Sequence, residues 1–186
     1  MKKQNSSGRK LKTTVVAVIG GKSSGKTTTI EILTKELTKR GYKVAAVKHV
    51  PEPNFTIDTE GKDTWRYAKA GAKTIISVAS SEITTIEKVN QESISLSKIL
   101  RKCKGNDIVF IEGLKALLAK RTNIQKIAIV NSEKEALDAL KRFKPLLAFA
   151  GAYSTKNLNL EIPYIDVLKE PERIADIIEK IIRKNF

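Results

Sequence analysis

Eight consecutive residues, Gly20-Gly21-Lys22-Ser23-Ser24-Gly25-Lys26-Thr27, stand at the spacing Gly-x-x-x-x-Gly-Lys-Thr. They follow a β-branched apolar run and precede an amphipathic helical pattern, the strand–loop–helix context in which this spacing holds phosphate. The chemistry follows from the residue types. Gly20 and Gly25 let the backbone curl where a Cβ would clash. The curl turns successive amide N–H groups toward one point, an anion nest, and the helix that follows adds its own free N–H groups and positive dipole end. Lys26 reaches the β- and γ-phosphates, and the Thr27 hydroxyl holds Mg²⁺. The expected nucleotide-binding residues are therefore Gly21, Lys22, Ser23, Ser24, Gly25, Lys26, Thr27 and Thr28. A chance glycine turn before a helix is the plainer alternative, and the full match in context argues against it.

Such a site needs further oxygen ligands for Mg²⁺. The apolar run Ile108-Val109-Phe110-Ile111 ends in Glu112. That places an acid at the carboxyl end of a buried strand, the Walker B position, where it binds the metal directly or through water. Lys26 and Glu112 are the expected catalytic residues, and Thr27 and Glu112 the expected metal ligands. Asp58, on the loop after the second strand, is a further candidate for the metal, since switch segments that order with a γ-phosphate sit there. The base is left open. Thr155-Lys156-Asn157-Leu158 lacks the aspartate of the guanine-reading Asn/Thr-Lys-x-Asp element, so these residues do not choose between GTP and ATP.

The elements that must position these groups alternate. Strands are expected over residues 12–19, 43–48, 107–112, 125–130 and 146–150, with a further short one over 164–167. Helices are expected over 26–40, 63–70 with Trp65 and Ala68 inward, 90–102, from the Ser132/Glu135 capping box to Arg142, and 170–183 with Ile174, Ile177, Ile178, Ile181 and Ile182 as its stripe. Gly41 closes the first helix. Residues 72–79 and 82–87 read as a hairpin around Ser80-Ser81. Residues 116–123 read as either a helical turn or a loop. Alternation of this kind predicts a three-layer α/β/α architecture of the P-loop NTPase type, mostly parallel, with the hairpin as a short antiparallel addition. Met1–Lys12 is expected to be a flexible basic tail and residues 13–186 a single nucleotide-binding domain.

Composition bounds the rest. The 186 residues are 41% hydrophobic, which suits a packed core. Cys103 alone cannot form an internal disulfide, and it closes the pattern Leu96, Ile99, Leu100, Cys103, so it is expected to be buried and not a nucleophile. No apolar run approaches the roughly 20 residues of a membrane span. The basic start leads into the phosphate loop and not into a signal-peptide core, so a cytoplasmic protein is expected. The net charge of +15 admits nucleic acid or small polyanions as partners. The lysines are spread along the chain without interleaved aromatics, which favours solvated helix faces over a nucleic-acid surface.

Several motifs in order resemble the MobB family, the molybdopterin-guanine dinucleotide biosynthesis protein B. They are Val47-Lys48-His49, the block Asp58-x-x-Gly61-Lys62-Asp63-Thr64 with Arg66 and Ala70-Gly71-Ala72, Glu112-Gly113-Leu114-Lys115, and Gln125-Lys126-Ile127. The resemblance covers about Val15–Val130. It implies a GTPase-like protein that binds GTP with Mg²⁺, hydrolyses it slowly, and forms a homodimer. It implies a role assisting the guanylyltransferase that joins GMP to molybdopterin, so molybdopterin or its guanine dinucleotide becomes a ligand, carrying molybdenum or tungsten. Lys48, His49, Lys62, Asp63, Arg66 and Lys115 are then the candidate contacts to an anionic cofactor or partner. The chain departs from the family after the Lys-His pair, where Pro51-Glu52-Pro53 replaces further histidines. That argues against a histidine metal cluster and leaves His49, the single histidine, as a polar contact or a structural residue. Two rivals share the phosphate loop: a small-molecule kinase with residues 115–121 as lid, and a nucleic-acid-associated ATPase.

Overall fold

The computed structural model describes residues 13–151 and 161–184. They fall into two compact units, Met1–His49 with Cys103–Phe186, and Val50–Lys102.

The first unit is built on five parallel strands: β1 (Thr14–Ile19), β2 (Val44–Lys48), then, after the second unit, β5 (Ile108–Glu112), β6 (Gln125–Ile129) and β7 (Leu146–Ala150). Their order across the sheet is β2-β5-β1-β6-β7. β1 and β5 sit in the middle, and their residues are apolar on both faces because both faces are covered. On one face, α1 (Lys26–Lys39) and the C-terminal helix, α6 (Pro171–Lys184), pack Ile30, Leu33, Leu37, Ile174 and Ile178 onto Val16, Val18, Phe110 and Ile127. On the other, Ala139 of α5 (Glu133–Arg142) and Phe143 come against Ile19 and Ala128. The sheet thus lies between two helical layers. A single helical turn, α4 (Lys115–Leu118), resolves the ambiguous stretch after β5 and buries Leu118. The short strand expected at 164–167 reduces to one bridge between Tyr164 and Phe149.

Local rules account for the helix ends. The Ser132 side chain accepts the Glu135 N–H at 3.2 Å, as a cap should. The Glu135 carboxylate takes the Asn131 N–H at 2.8 Å, one residue earlier than a standard box.

The second unit holds α2 (Asp63–Lys69), the antiparallel pair β3 (Thr74–Val78) and β4 (Ile83–Glu87), and α3 (Leu96–Lys102). Val78 and Ile83 face each other across the hairpin, as the sequence pattern requires. The helix expected over 90–102 is shorter: a 3₁₀ turn at Gln91–Ser93 precedes α3. Ser95 supplies the break, its hydroxyl accepting the Lys98 N–H at 3.4 Å to start α3. Trp65 and Ala68 are half-buried, and Trp65 carries the Lys69 ammonium 5.1 Å from its ring centre.

Candidate functional site

The loop between β1 and α1 is shaped by steric need. A Cβ on Gly20 would stand 2.6 Å from Ser24 Oγ and 2.8 Å from the Ile129 carbonyl oxygen, so only glycine fits. Gly25 has φ of 98°, a left-handed conformation that lets the chain turn from the loop into the helix, and Ser23 adopts φ of 55°. α1 then starts at Lys26, with Thr29 N–H donating to the Gly25 carbonyl at 2.9 Å. The N–H groups ahead of Thr29 have no partner within the helix and face out of its N-terminus. Gly21, Lys22, Ser23, Gly25, Thr27 and Thr28 are exposed, while Ser24 is buried with an Oγ that has no hydrogen-bond partner.

Lys26 lies across the loop, donating from Nζ to the Gly21 carbonyl. Its ammonium is held below its ordinary value of 10.5, first by burial and then by Lys115 and Lys48, with the Glu112 carboxylate opposing. Three ammonium groups around one carboxylate leave the loop electropositive, the condition under which a polyanion is drawn in.

Parallel pairing places the acid. Val18 is registered against Glu112 across β1–β5, and Lys48 against Glu112 across β2–β5. Glu112 therefore emerges at the carboxyl edge beside the loop. Its Oε2 accepts from Thr27 Oγ1 at 2.9 Å, and Lys48 Nζ stands 3.3 Å from Oε1, 3.4 Å from Oε2 and 3.5 Å from Thr27 Oγ1. Thr27 and Glu112, read from the sequence as a pair of metal ligands, thus converge. Their donors are hard oxygens, and an ammonium group already rests against both, so the donor set suits Mg²⁺ completed by water and phosphate.

His49 closes the same edge. Its N–H donates to the Glu112 carbonyl at 2.9 Å, and a Cβ on Gly113 would meet His49 Cβ at 2.9 Å. Gly113 has φ of 89° and Leu114 φ of 51°, which turns the chain so that exposed Lys115 opens α4. The other candidates belong to the second unit. Asp58 Oδ1 accepts from Thr64 Oγ1 at 2.7 Å and from Thr59 N–H at 3.0 Å, while Oδ2 is buried without a partner. Lys62 flanks α2, and Arg66 meets Asp63 at 3.5 Å on an open surface. Thr155–Leu158 and the basic tail Met1–Lys12 lie outside the described residues. Among the described residues, no helix is long and apolar enough to cross a membrane, and no group of three or more His, Cys, Asp or Glu side chains forms a metal cluster. Cys103 is buried, and burial pushes its thiol up.

Sequence reasoning did not find the role of Lys126. Fully buried in β6, it donates from Nζ to the carbonyls of Arg121, Ile124 and Lys144, the last two at 2.9 and 2.7 Å. A lysine between Gln125 and Ile127 carries no local sign of burial. Only the folded chain converges the three carbonyls that receive it.

Residues 15–152 match the family model described as MobB, molybdopterin guanine dinucleotide synthesis protein B. The chain belongs to the MobB family. Among curated MobB relatives, it is 39% identical over 127 residues to a putative molybdopterin-guanine dinucleotide biosynthesis adapter protein of Methanocaldococcus jannaschii, covering 68% of this chain and 50% of that protein. The chain thus spans about half the length of that relative. It is 31% identical over 168 residues to the adapter protein of Haemophilus influenzae, covering 89% of this chain and 87% of that one. Among solved structures, it resembles a crystal structure of molybdopterin-guanine biosynthesis protein B (TM-score 0.70, 24% identity, 91% and 99% coverage) and that of Bacillus subtilis MobB (TM-score 0.67, 26% identity, 89% and 96% coverage). The expected P-loop NTPase-like α/β fold, mostly parallel with an antiparallel hairpin, is the MobB fold. The MobB match ends at residue 152, yet α6 beyond it supplies Ile174, Ile178 and Ile182 to the core.

Proposed function

We propose that this MobB-family chain binds GTP with Mg²⁺ at the loop Gly21–Thr28, hydrolyses it slowly, and acts as an adapter to the guanylyltransferase that attaches GMP to molybdopterin. One observation carries the nucleotide site: the Thr27 hydroxyl meets the Glu112 carboxylate at 2.9 Å beside a glycine loop that opens a helix. The adapter role is supported by family membership and by the names of the relatives. In this reading the protein works as a homodimer in the cytoplasm, and molybdopterin or its guanine dinucleotide is the second anionic ligand.

The roles of the side chains follow from the geometry. The loop amides and the α1 N-terminus take the β-phosphate, and Lys26 leaves the Gly21 carbonyl for the β- and γ-phosphate oxygens. Thr27 and Glu112 are the residues that would hold Mg²⁺, which would supply positive charge to neutralise the triphosphate. Water attacks the γ-phosphorus in line as the bond to the β–γ bridging oxygen breaks. Lys26 and the loop amides receive the charge that develops on that oxygen. No side chain is assigned to orient the water, hence the slow turnover. Asp58 is carried from the sequence as a further candidate ligand for the metal. Lys48, His49, Lys62, Asp63, Arg66 and Lys115 are assigned to the anionic cofactor or partner.

Calorimetric titration with GTP, ATP and GDP in Mg²⁺ tests the site. GTP is expected to bind more tightly than ATP, with affinity falling about 10–100-fold in Lys26→Ala as charged hydrogen bonds are lost. Equal binding of GTP and ATP, or an unaffected Lys26→Ala, would overturn the nucleotide assignment. Failure to retain a molybdenum-cofactor guanylyltransferase in a pull-down would overturn the adapter assignment.

A further inference from the structure

Lys48 has no part in binding nucleotide phosphate by the usual loop mechanism, yet its ammonium rests against both oxygens assigned to the metal. It stands 3.3 and 3.4 Å from the Glu112 carboxylate oxygens and 3.5 Å from Thr27 Oγ1. This is not the casual pairing of two long surface side chains. Lys48 and Glu112 are registered partners on adjacent parallel strands, so their side chains leave the same face at one sheet spacing. The Glu112 side chain is only 13% exposed, while that of Lys48 is 58% exposed, so the stem of the lysine has room to leave.

We propose that Lys48 is a resident cation that holds the Thr27–Glu112 site in the metal-free protein and must be displaced for a divalent ion to enter. The inference rests on the assignment of Thr27 and Glu112 as the metal ligands. Mg²⁺ demands oxygen ligands at about 2.0–2.1 Å in octahedral geometry. Coordinated directly to Thr27 Oγ1 and a Glu112 oxygen, such an ion would leave no space for an ammonium on those oxygens, and the two cations would repel at that range. Two protein oxygens do not outcompete the tethered ammonium by themselves. The phosphate oxygens of a bound nucleotide tip the balance, because they add ligands and negative charge. Metal entry is thereby coupled to nucleotide entry. The displaced ammonium, still anchored at the end of β2, becomes available to an anion there.

The experiment is Mn²⁺ binding to the full chain, read by electron paramagnetic resonance of the free ion, with and without GTP, counting as uptake only the Mn²⁺ bound beyond that held by the same concentration of GTP without protein. Wild type is expected to take up Mn²⁺ strongly only with GTP, and Glu112→Gln to lose that uptake. Absence of GTP-dependent uptake, or its persistence in Glu112→Gln, would sink the metal assignment itself. With that assignment standing, Lys48→Met and Lys48→Gln are expected to bind Mn²⁺ without nucleotide about tenfold more tightly than wild type, or more. Lys48→Arg, which keeps the charge, is expected to stay near wild type. Nucleotide-free Mn²⁺ affinity unchanged or weaker in both neutral variants would overturn the role of Lys48 alone. Circular dichroism of each variant checks that it is folded, and two neutral replacements guard against failure of one.

Discussion

At Lys26, burial and two neighbouring lysines oppose one carboxylate, and the ammonium is held below its ordinary value of 10.5. The unfolded chain therefore binds more protons than the native one between the lowered native value and 10.5. Stability rises with pH across that interval, and at neutral pH the full cost of keeping Lys26 charged is present. Lys26→Met is expected to hold or raise the urea midpoint of the ligand-free protein at pH 7, even as it weakens triphosphate binding about 10–100-fold. A clear drop in the midpoint would show the ammonium to be structural. The spacing of Gly20, Gly25, Lys26 and Thr27 was legible because it is set within eight consecutive residues. The grip of Lys48 on Glu112 was not, because those two residues are 64 positions apart and meet through register alone.

Among the elements, α1 and α6 are tied by charge as well as by core. Arg40, just past α1, donates from Nη1 to Asp176 at 2.6 Å and to Glu179 at 3.1 Å, and from Nε to Glu36 at 2.9 Å. Tyr42 adds a bond to Glu179 at 2.7 Å. Arg40 and Glu179 are each only 20% exposed, so the network exceeds the fraction of a kcal/mol expected of an isolated surface pair. Arg40→Ala is expected to lower stability by about 1–2 kcal/mol, with the loss shrinking as salt screens the pairs. Chemical denaturation at low and high salt checks both. The Glu36–Arg40 half of this network was legible as an i,i+4 pair on one helix. Its other half, across to α6, needed the two helices laid side by side. Element identity was likewise legible wherever apolar period or a cap spoke locally, as in α5. It failed where the signal was a side-chain turn, as in the shortening of α3, or where chain geometry left one bridge in place of a strand, as at Tyr164.

Across the whole molecule, a net charge of +15 repels itself in the compact state. At about 0.01 M salt the Debye length is about 30 Å, so most of the charges act on one another, and at about 0.1 M it falls to about 10 Å. The melting temperature is therefore expected to rise between these concentrations, even though the Arg40 network weakens over the same range. A fall would show that paired charges outweigh the net excess. The glycine loop, the acid at the end of a buried strand, the succession of strands and helices along the chain and the family were all readable from the residues alone. Each of these is written in contiguous residues, where spacing, period and turn chemistry act at short range. Folding alone set the full strand order β2-β5-β1-β6-β7, the approach of Lys48 to Glu112 and the three carbonyls around the Lys126 ammonium. Those facts depend on strand register and on packing between residues far apart in the chain, for which no local pattern exists.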